Sequence, residues 1–301
     1  MPVFTGSGVA LCTPFDKSGA FCHETYDKLI EFHAKKGTEA IVACGTTGEA
    51  ATLTEDECVE VVRIAVASAK KHGDNRGHAM TVIAGAGGND TTKCKRIGKA
   101  LQKVGADCLM YVTPYYNKTS QAGLVAHYSA LAASVDLPIM VYNVPSRTGV
   151  NMLPKTMAEL AKIPNITAIK EASGDISQIA EMAERLGDDA FLYAGNDDQI
   201  LPILILGGMG VVSTIANIAP DIVQNIVVTF FMNEIPKSRS LQLGILPLVR
   251  LLFADVNPMP VKAALELMGY RMGSCRLPLT SISDALSKDL EQEMRQYGLL
   301  T

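Results

Sequence analysis

No two of the seven cysteines (Cys12, Cys22, Cys44, Cys58, Cys94, Cys108 and Cys275) stand in CxxC spacing, and their number is odd. That argues against a disulfide framework and predicts reduced, mostly buried thiols. The five histidines, His23, His33, His72, His78 and His127, form no HExxH pattern and no paired metal spacing. A GxSxG elbow and a phosphate-binding P-loop are also missing. The nearest approach to a dinucleotide turn, Gly85, Gly87 and Gly88, has the wrong spacing. Neither a metal nor an organic cofactor is therefore expected. No uncharged apolar run reaches the ~20 residues of a membrane span. The opening MPVFTGSGVALCTPF lacks a basic start and a long apolar stretch, so no signal peptide is expected and a cytoplasmic location is. Nor is there an excess of positive charge: the formal net charge of −4 argues against a nucleic-acid surface.

What the chain does have is an ordinary globular balance, with 48% hydrophobic and 19% charged residues among 301. A chain of this length can bury a large core without staples. Its dominant pattern is a short apolar run, a loop and a helical stretch, repeated. Candidate strands are 8–11, 40–43, 80–84, 108–112, 138–142, 166–170, 191–194 and 211–213. They are continuously apolar rather than alternating, as parallel strands covered on both faces are. Between them, Thr54 and Glu57 make a capping box for a helix stopped at Gly73. Tyr26, Leu29, Ile30 and His33 share one helical face closed by Gly37. Pro154 and Pro220 open further helices. His33, on an apolar face, is read as packing. Eight strand–helix units make an α/β fold of the (β/α)8 TIM-barrel type the economical solution for residues 1–231, ahead of a doubly wound sheet. From 232 to 301 the β runs cease. Stretches 241–253, 260–267 and 282–297 read as a C-terminal helical domain, broken at Asn257-Pro258 and at 273–278.

Barrel active sites collect where strands end. Lys170 follows the apolar Ile166-Thr167-Ala168-Ile169, so a strand carries it from the interior to the rim. In low-dielectric surroundings its amine loses proton affinity and becomes a nucleophile towards a ketone. Taken alone, it is more simply read as an ion-paired strand-end lysine, with Glu171 or Glu49 as partner. Its companions matter. Schiff-base chemistry must move protons, and tyrosines linked to other hydroxyls can relay them. Tyr142, Tyr116 and Thr46 all lie on rim segments, though Tyr142 could cap the core and Tyr115-Tyr116 could be loop packing. The Gly45-Thr46-Thr47-Gly48 turn could cradle a carboxylate or be an ordinary strand-to-helix turn. Asp197-Asp198 could hold a hard metal, but a helix N-cap is the simpler reading.

Together the segments Gly45-Thr46-Thr47-Gly48-Glu49, Val112-Thr113-Pro114-Tyr115-Tyr116-Asn117, Tyr142-Asn143-Val144-Pro145-Ser146-Arg147-Thr148-Gly149, Ile169-Lys170-Glu171-Ala172 and Gly195-Asn196-Asp197-Asp198 resemble the dihydrodipicolinate synthase family of class I aldolases. The resemblance implies a barrel with a small helical C-terminal domain, usually a homotetramer built as a dimer of dimers. It also implies condensation of pyruvate with L-aspartate 4-semialdehyde towards diaminopimelate and lysine. Carried over, Lys170 forms the pyruvate imine, and Tyr142 acts as acid and base through Thr46 and Tyr116, the last entering from a neighbouring subunit. Thr47 holds the pyruvate carboxylate, Gly195 and Val212 line the pocket, and Arg147 takes the semialdehyde carboxylate. N-acetylneuraminate lyases and sugar-acid aldolases share the lysine and tyrosine but match the 145–149 segment less well. An arginine there suits a small substrate's carboxylate. A barrel that senses a 2-oxo acid without turning it over would not need the relay. Where lysine-inhibited members hold their effector, Tyr115 and Asn89 remain, but Lys93, Glu55, Cys58 and Ala50 depart from the pattern. Weak or absent inhibition by lysine follows, because Lys93 would repel the effector's ammonium.

Overall fold

The computed structural model describes residues 1–73, 77 and 79–300; His78 lies outside them. Eight strands, β1 (Gly6–Ala10), β2 (Ala40–Ala43), β3 (Thr81–Gly85), β4 (Cys108–Val112), β5 (Ile139–Asn143), β6 (Ile166–Glu171), β7 (Phe191–Ala194) and β8 (Gly210–Ser213), pair in sequence order as a closed parallel barrel. The sheet closes where Gly8 meets Val212 and Gly6 meets Gly210. A side chain on Gly210 would put its Cβ 2.0 Å from the Gly6 carbonyl oxygen, so this seam admits only glycine.

Each strand presents alternate residues to two cores. Met110, Met140, Tyr142, Ala168, Tyr193 and Val212 belong to the interior cluster. Leu109, Val141, Ile169 and Val211 pack outward against the helices. The same alternation sends Lys170 inward and Glu171 outward at the end of β6.

The outer layer comprises α1 (His23–Lys35), α2 (Glu55–Gly73), α3 (Thr91–Lys103), α4 (Gln121–Ala132), α5 (Pro145–Thr148), α6 (Pro154–Leu160), α7 (Ile176–Leu186), α8 (Ile200–Ile205) and α9 (Pro220–Phe231). The capping box forms: Thr54 N–H donates to Glu57 Oε2 at 2.8 Å, and Glu57 N–H to Thr54 Oγ1 at 3.2 Å. His33 is fully buried against Thr38, with 2.9 Å between ring nitrogen and hydroxyl, which bears out its reading as packing.

Helices α10 (Ile235–Leu252), α11 (Met259–Leu267) and α12 (Asp284–Gln296) follow, with α10 packed against α8, α9 and α12. The expectation of a helix from 241 is corrected here: α10 starts at Ile235 and contains Pro247. Pro236 sits in its first turn, where a missing N–H costs nothing, so it opens the helix rather than ending it. β1 likewise begins at Gly6, two residues ahead of the expected start.

Candidate active site

The C-terminal rim of the barrel holds a cavity of about 200 Å³. Six of the eight residues singled out in the sequence line it: Thr46, Thr47, Tyr142, Arg147, Lys170 and Gly195. β5 and β6 supply its centre, because their register sets Tyr142 directly opposite Lys170. Both are buried, and the Lys170 Nζ stands 4.2 Å from the Tyr142 ring centroid.

Burial pulls the Lys170 amine down to about 8, helped by the Arg147 guanidinium and opposed by the Asp197 carboxylate. Neither partner offered by the ion-pair alternative is free to reach it. Glu171 points out of the barrel, where it accepts from Asn143 Nδ2 at 3.0 Å and from Ser173 N–H at 2.6 Å. Glu49 is bound to Lys262 at 2.6 Å. The Tyr142 phenol is pushed up to about 12 by burial, against the opposing pull of Arg147 and of the neighbouring Thr46 hydroxyl. Arg147 itself is exposed on α5, a single turn opened by Pro145 at the end of β5.

The Thr46-Thr47 turn is held by several bonds. Glu49 N–H donates to Thr46 O at 3.1 Å, and Thr13 Oγ1 donates to Gly48 O at 2.8 Å. Glu49 itself has φ +56°, a left-handed conformation that costs a non-glycine residue energy. Gly195 N–H donates to Glu171 O at 2.8 Å, and a Cβ there would approach Ala172 Cβ to 2.7 Å, so the residue is pressed against the end of β6.

Two of the eight lie elsewhere. Val212 is buried in the barrel interior and does not line the cavity. Tyr116 is 91% exposed, with φ +69°, on the loop after β4. Beside it, Tyr115 lines an adjoining, larger cavity of about 380 Å³ that shares Thr46, Tyr142 and Arg147 with the first.

Asp197 corrects the N-cap reading. Its buried carboxylate accepts from Thr214 and Ile215 N–H, both at 3.0 Å, and so caps the turn Ile215–Asn217 after β8 instead of its own helix. Burial pushes its carboxyl up against the hydrogen bonds it receives. Sequence reasoning missed three further residues. Asn257 lines the cavity and donates from Nδ2 to Thr47 Oγ1 at 2.9 Å. Lys262 and Arg276 meet Glu49 from the tail. A lysine set in the apolar run Val261-Lys262-Ala263-Ala264-Leu265 demands a buried counter-charge, and that signal was available. Among the described residues no group of three or more histidine, cysteine or acidic side chains is placed to hold a metal ion, and all seven cysteines are free thiols.

Comparison with known proteins matches this arrangement along nearly the whole chain. The model of the dihydrodipicolinate synthetase family covers residues 3–297. A 4-hydroxy-tetrahydrodipicolinate synthase of Caldicellulosiruptor bescii is 48% identical over 99% of both chains. A dihydrodipicolinate synthase structure from Cyanidioschyzon merolae with lysine bound superimposes with a TM-score of 0.95 at 38% identity, over all of both chains. A chloride-inhibited one from Acinetobacter baumannii complexed with pyruvate gives 0.94 at 38% identity, over 98% of this chain and 99% of that one. With barrel, rim lysine and full-length similarity in agreement, the chain belongs to the dihydrodipicolinate synthetase family.

Proposed function

We propose that this chain catalyses the 4-hydroxy-tetrahydrodipicolinate synthase reaction, the Schiff-base condensation of pyruvate with L-aspartate 4-semialdehyde on the diaminopimelate route to lysine. The observation that carries the reading is the buried Lys170 amine, held near 8 at the cavity beside the Tyr142 phenol. An amine titrating near 8 is neutral in an appreciable fraction at physiological pH, and only the neutral amine attacks a ketone.

In this reading Lys170 adds to the pyruvate carbonyl, and the carbinolamine loses water to give a protonated imine. Tyr142, which shares the cavity wall with Thr46, gives and takes the protons. The cationic imine draws electrons from the methyl carbon, which loses a proton to become an enamine. The enamine attacks the aldehyde, and the substrate's amino group then displaces Lys170 and closes the ring. The imine is itself the electron sink, so no metal or organic cofactor is required. Thr47 holds the pyruvate carboxylate. Arg147, exposed at the mouth, receives the carboxylate of the semialdehyde, a pairing that favours this reaction over cleavage of a polyhydroxylated sugar acid. Gly195 shapes the pocket through its main chain.

The assembly we propose is a homotetramer, a dimer of dimers, in which Tyr116 enters the neighbouring site. Its 91% exposure on a single chain, next to the open cavity lined by Tyr115, supports that role. Residues 1–231 form the catalytic barrel and 232–301 a helical domain docked on it. Seven free cysteines fit a reducing, cytoplasmic setting.

The test is turnover of pyruvate and L-aspartate 4-semialdehyde, read through a reductase that oxidises a nicotinamide cofactor. Borohydride trapping of the pyruvate adduct accompanies it. Activity and adduct should both vanish in Lys170→Ala. A folded protein that neither turns over the pair nor traps pyruvate would overturn the proposal.

A further inference from the structure

The loop between α10 and α11 reaches back across the barrel mouth. Asn257, 6% exposed, donates from Nδ2 to the Thr47 hydroxyl at 2.9 Å. Five residues on, Lys262 Nζ donates to Glu49 Oε1 at 2.6 Å, and Arg276 N–H donates to Glu49 Oε2 at 2.9 Å. Thr47 and Glu49, two residues apart on one turn, are thus both gripped by the C-terminal segment. The Asn257 side-chain amide oxygen, Oδ1, is buried and has no hydrogen-bond partner. Leaving a buried acceptor unpaired is unfavourable, so the bond to Thr47 is what the amide contributes here. Its donor end is what the site uses.

A threonine hydroxyl carries one proton and accepts through its lone pairs. When Asn257 donates to Thr47 Oγ1, that oxygen's own proton is free for another acceptor. A carboxylate in place of the amide would instead draw the Thr47 proton towards itself. We propose that Asn257 is a positioning residue for the first substrate: by donating to Thr47 it aims the Thr47 O–H into the cavity, at the carboxylate of pyruvate. The inference rests on the reading of Thr47 as the carboxylate holder, and it assigns part of the pyruvate subsite to the C-terminal segment.

The experiment compares Asn257→Ala, Asn257→Asp and Thr47→Val in the full-length enzyme by steady-state kinetics, and by borohydride trapping with pyruvate and with methyl pyruvate. The ester keeps the ketone but lacks the carboxylate charge. Asn257→Ala should raise KM for pyruvate about tenfold while KM for the semialdehyde moves by no more than about twofold. Asn257→Asp, nearly isosteric and the variant to rely on should alanine unfold the loop, should raise it further. It takes the Thr47 proton and sets a like charge near the substrate carboxylate. Trapping of methyl pyruvate should be affected little by either change. On the Thr47→Val background, Asn257→Ala should add nothing. Equal rises in both KM values, or an equal loss with the ester, would overturn the proposal. If Thr47→Val leaves the pyruvate KM unchanged, the carboxylate-holder reading itself is wrong. A Thr47→Val effect without an Asn257 effect sinks only the present inference.

Discussion

Lys170 and Tyr142 face each other across the β5–β6 ladder, with the amine nitrogen 4.2 Å from the phenol ring centroid. A cation over an aromatic face is attracted to it, yet this lysine titrates low because burial outweighs the attraction. Two charged neighbours then act in opposite directions, Asp197 holding the proton on and Arg147 driving it off.

That balance fixes the pH dependence. The reactive form is the neutral amine, so kcat/KM for pyruvate should rise with pH through an acid limb centred near 8 and level off above it. Asp197→Asn removes the carboxylate that favours the ammonium and should move the limb to lower pH. Arg147→Met removes the cation that disfavours it and should move the limb upward. pH–rate profiles of the three proteins check the prediction. An Asp197→Asn limb that stays put or climbs would sink the electrostatic account.

The exposure of Tyr116 leads to a complementation test. Lys170→Ala lacks the nucleophile, and Tyr116→Phe lacks the relay end that a second copy is proposed to supply. Each alone should show little activity. After unfolding and refolding together, mixed dimers hold one site in which both residues are intact, so roughly a quarter of wild-type activity should return by random pairing. A mixture no more active than its components would mean that Tyr116 serves no site across an interface.

Much of this was legible from residue order alone, for physical reasons. A parallel strand buried on both faces must be continuously apolar, so the single lysine ending Ile166–Ile169 stood out, and the structure places it on the cavity. The Thr54 and Glu57 capping box could be read because its partners lie three residues apart. The bond from Asn257 to Thr47 joins residues 210 apart, and only packing brings them together. Asp197 was misread for the same reason: a carboxylate can cap the turn next to it in sequence or one next to it in space, and here it caps the latter. The start of α10 was missed because Pro236, in its first turn, reads as a break ahead of the helix rather than as its opening.

Sensitivity to lysine should be weak. The Glu55 carboxylate is held below its usual range by Arg96, which bonds it through Nε at 2.8 Å and through a second guanidinium nitrogen. Lys93 lies on α3 one turn before Arg96, so an incoming ammonium meets two cations and a carboxylate that is already paired. Initial rates should fall little at submillimolar lysine. Lys93→Glu should increase inhibition, and strong submillimolar inhibition of the unaltered enzyme would contradict the argument.

The buried ion pair between Lys262 and Glu49 should be the costliest barrel-to-tail contact to break. Its side chains are 4% and 1% exposed, and the ammonium also lies 4.3 Å from the centroid of the Phe15 ring. Removing one partner strands the other charge in a site that water does not reach. Lys262→Met should therefore cost about 3–5 kcal/mol of stability, read from the urea midpoint. Adding Glu49→Gln removes the stranded charge and should restore a large part of that loss, because a neutral amide can still accept from the Arg276 N–H. Glu49 also ends the turn carrying Thr46 and Thr47 and sits there at φ +56°, a conformation that its two bonds to the tail hold in place. Lys262→Met should thus raise KM for pyruvate even where the protein remains folded, and the double variant should recover stability more fully than affinity. Full recovery of both would show that the pair serves the fold alone.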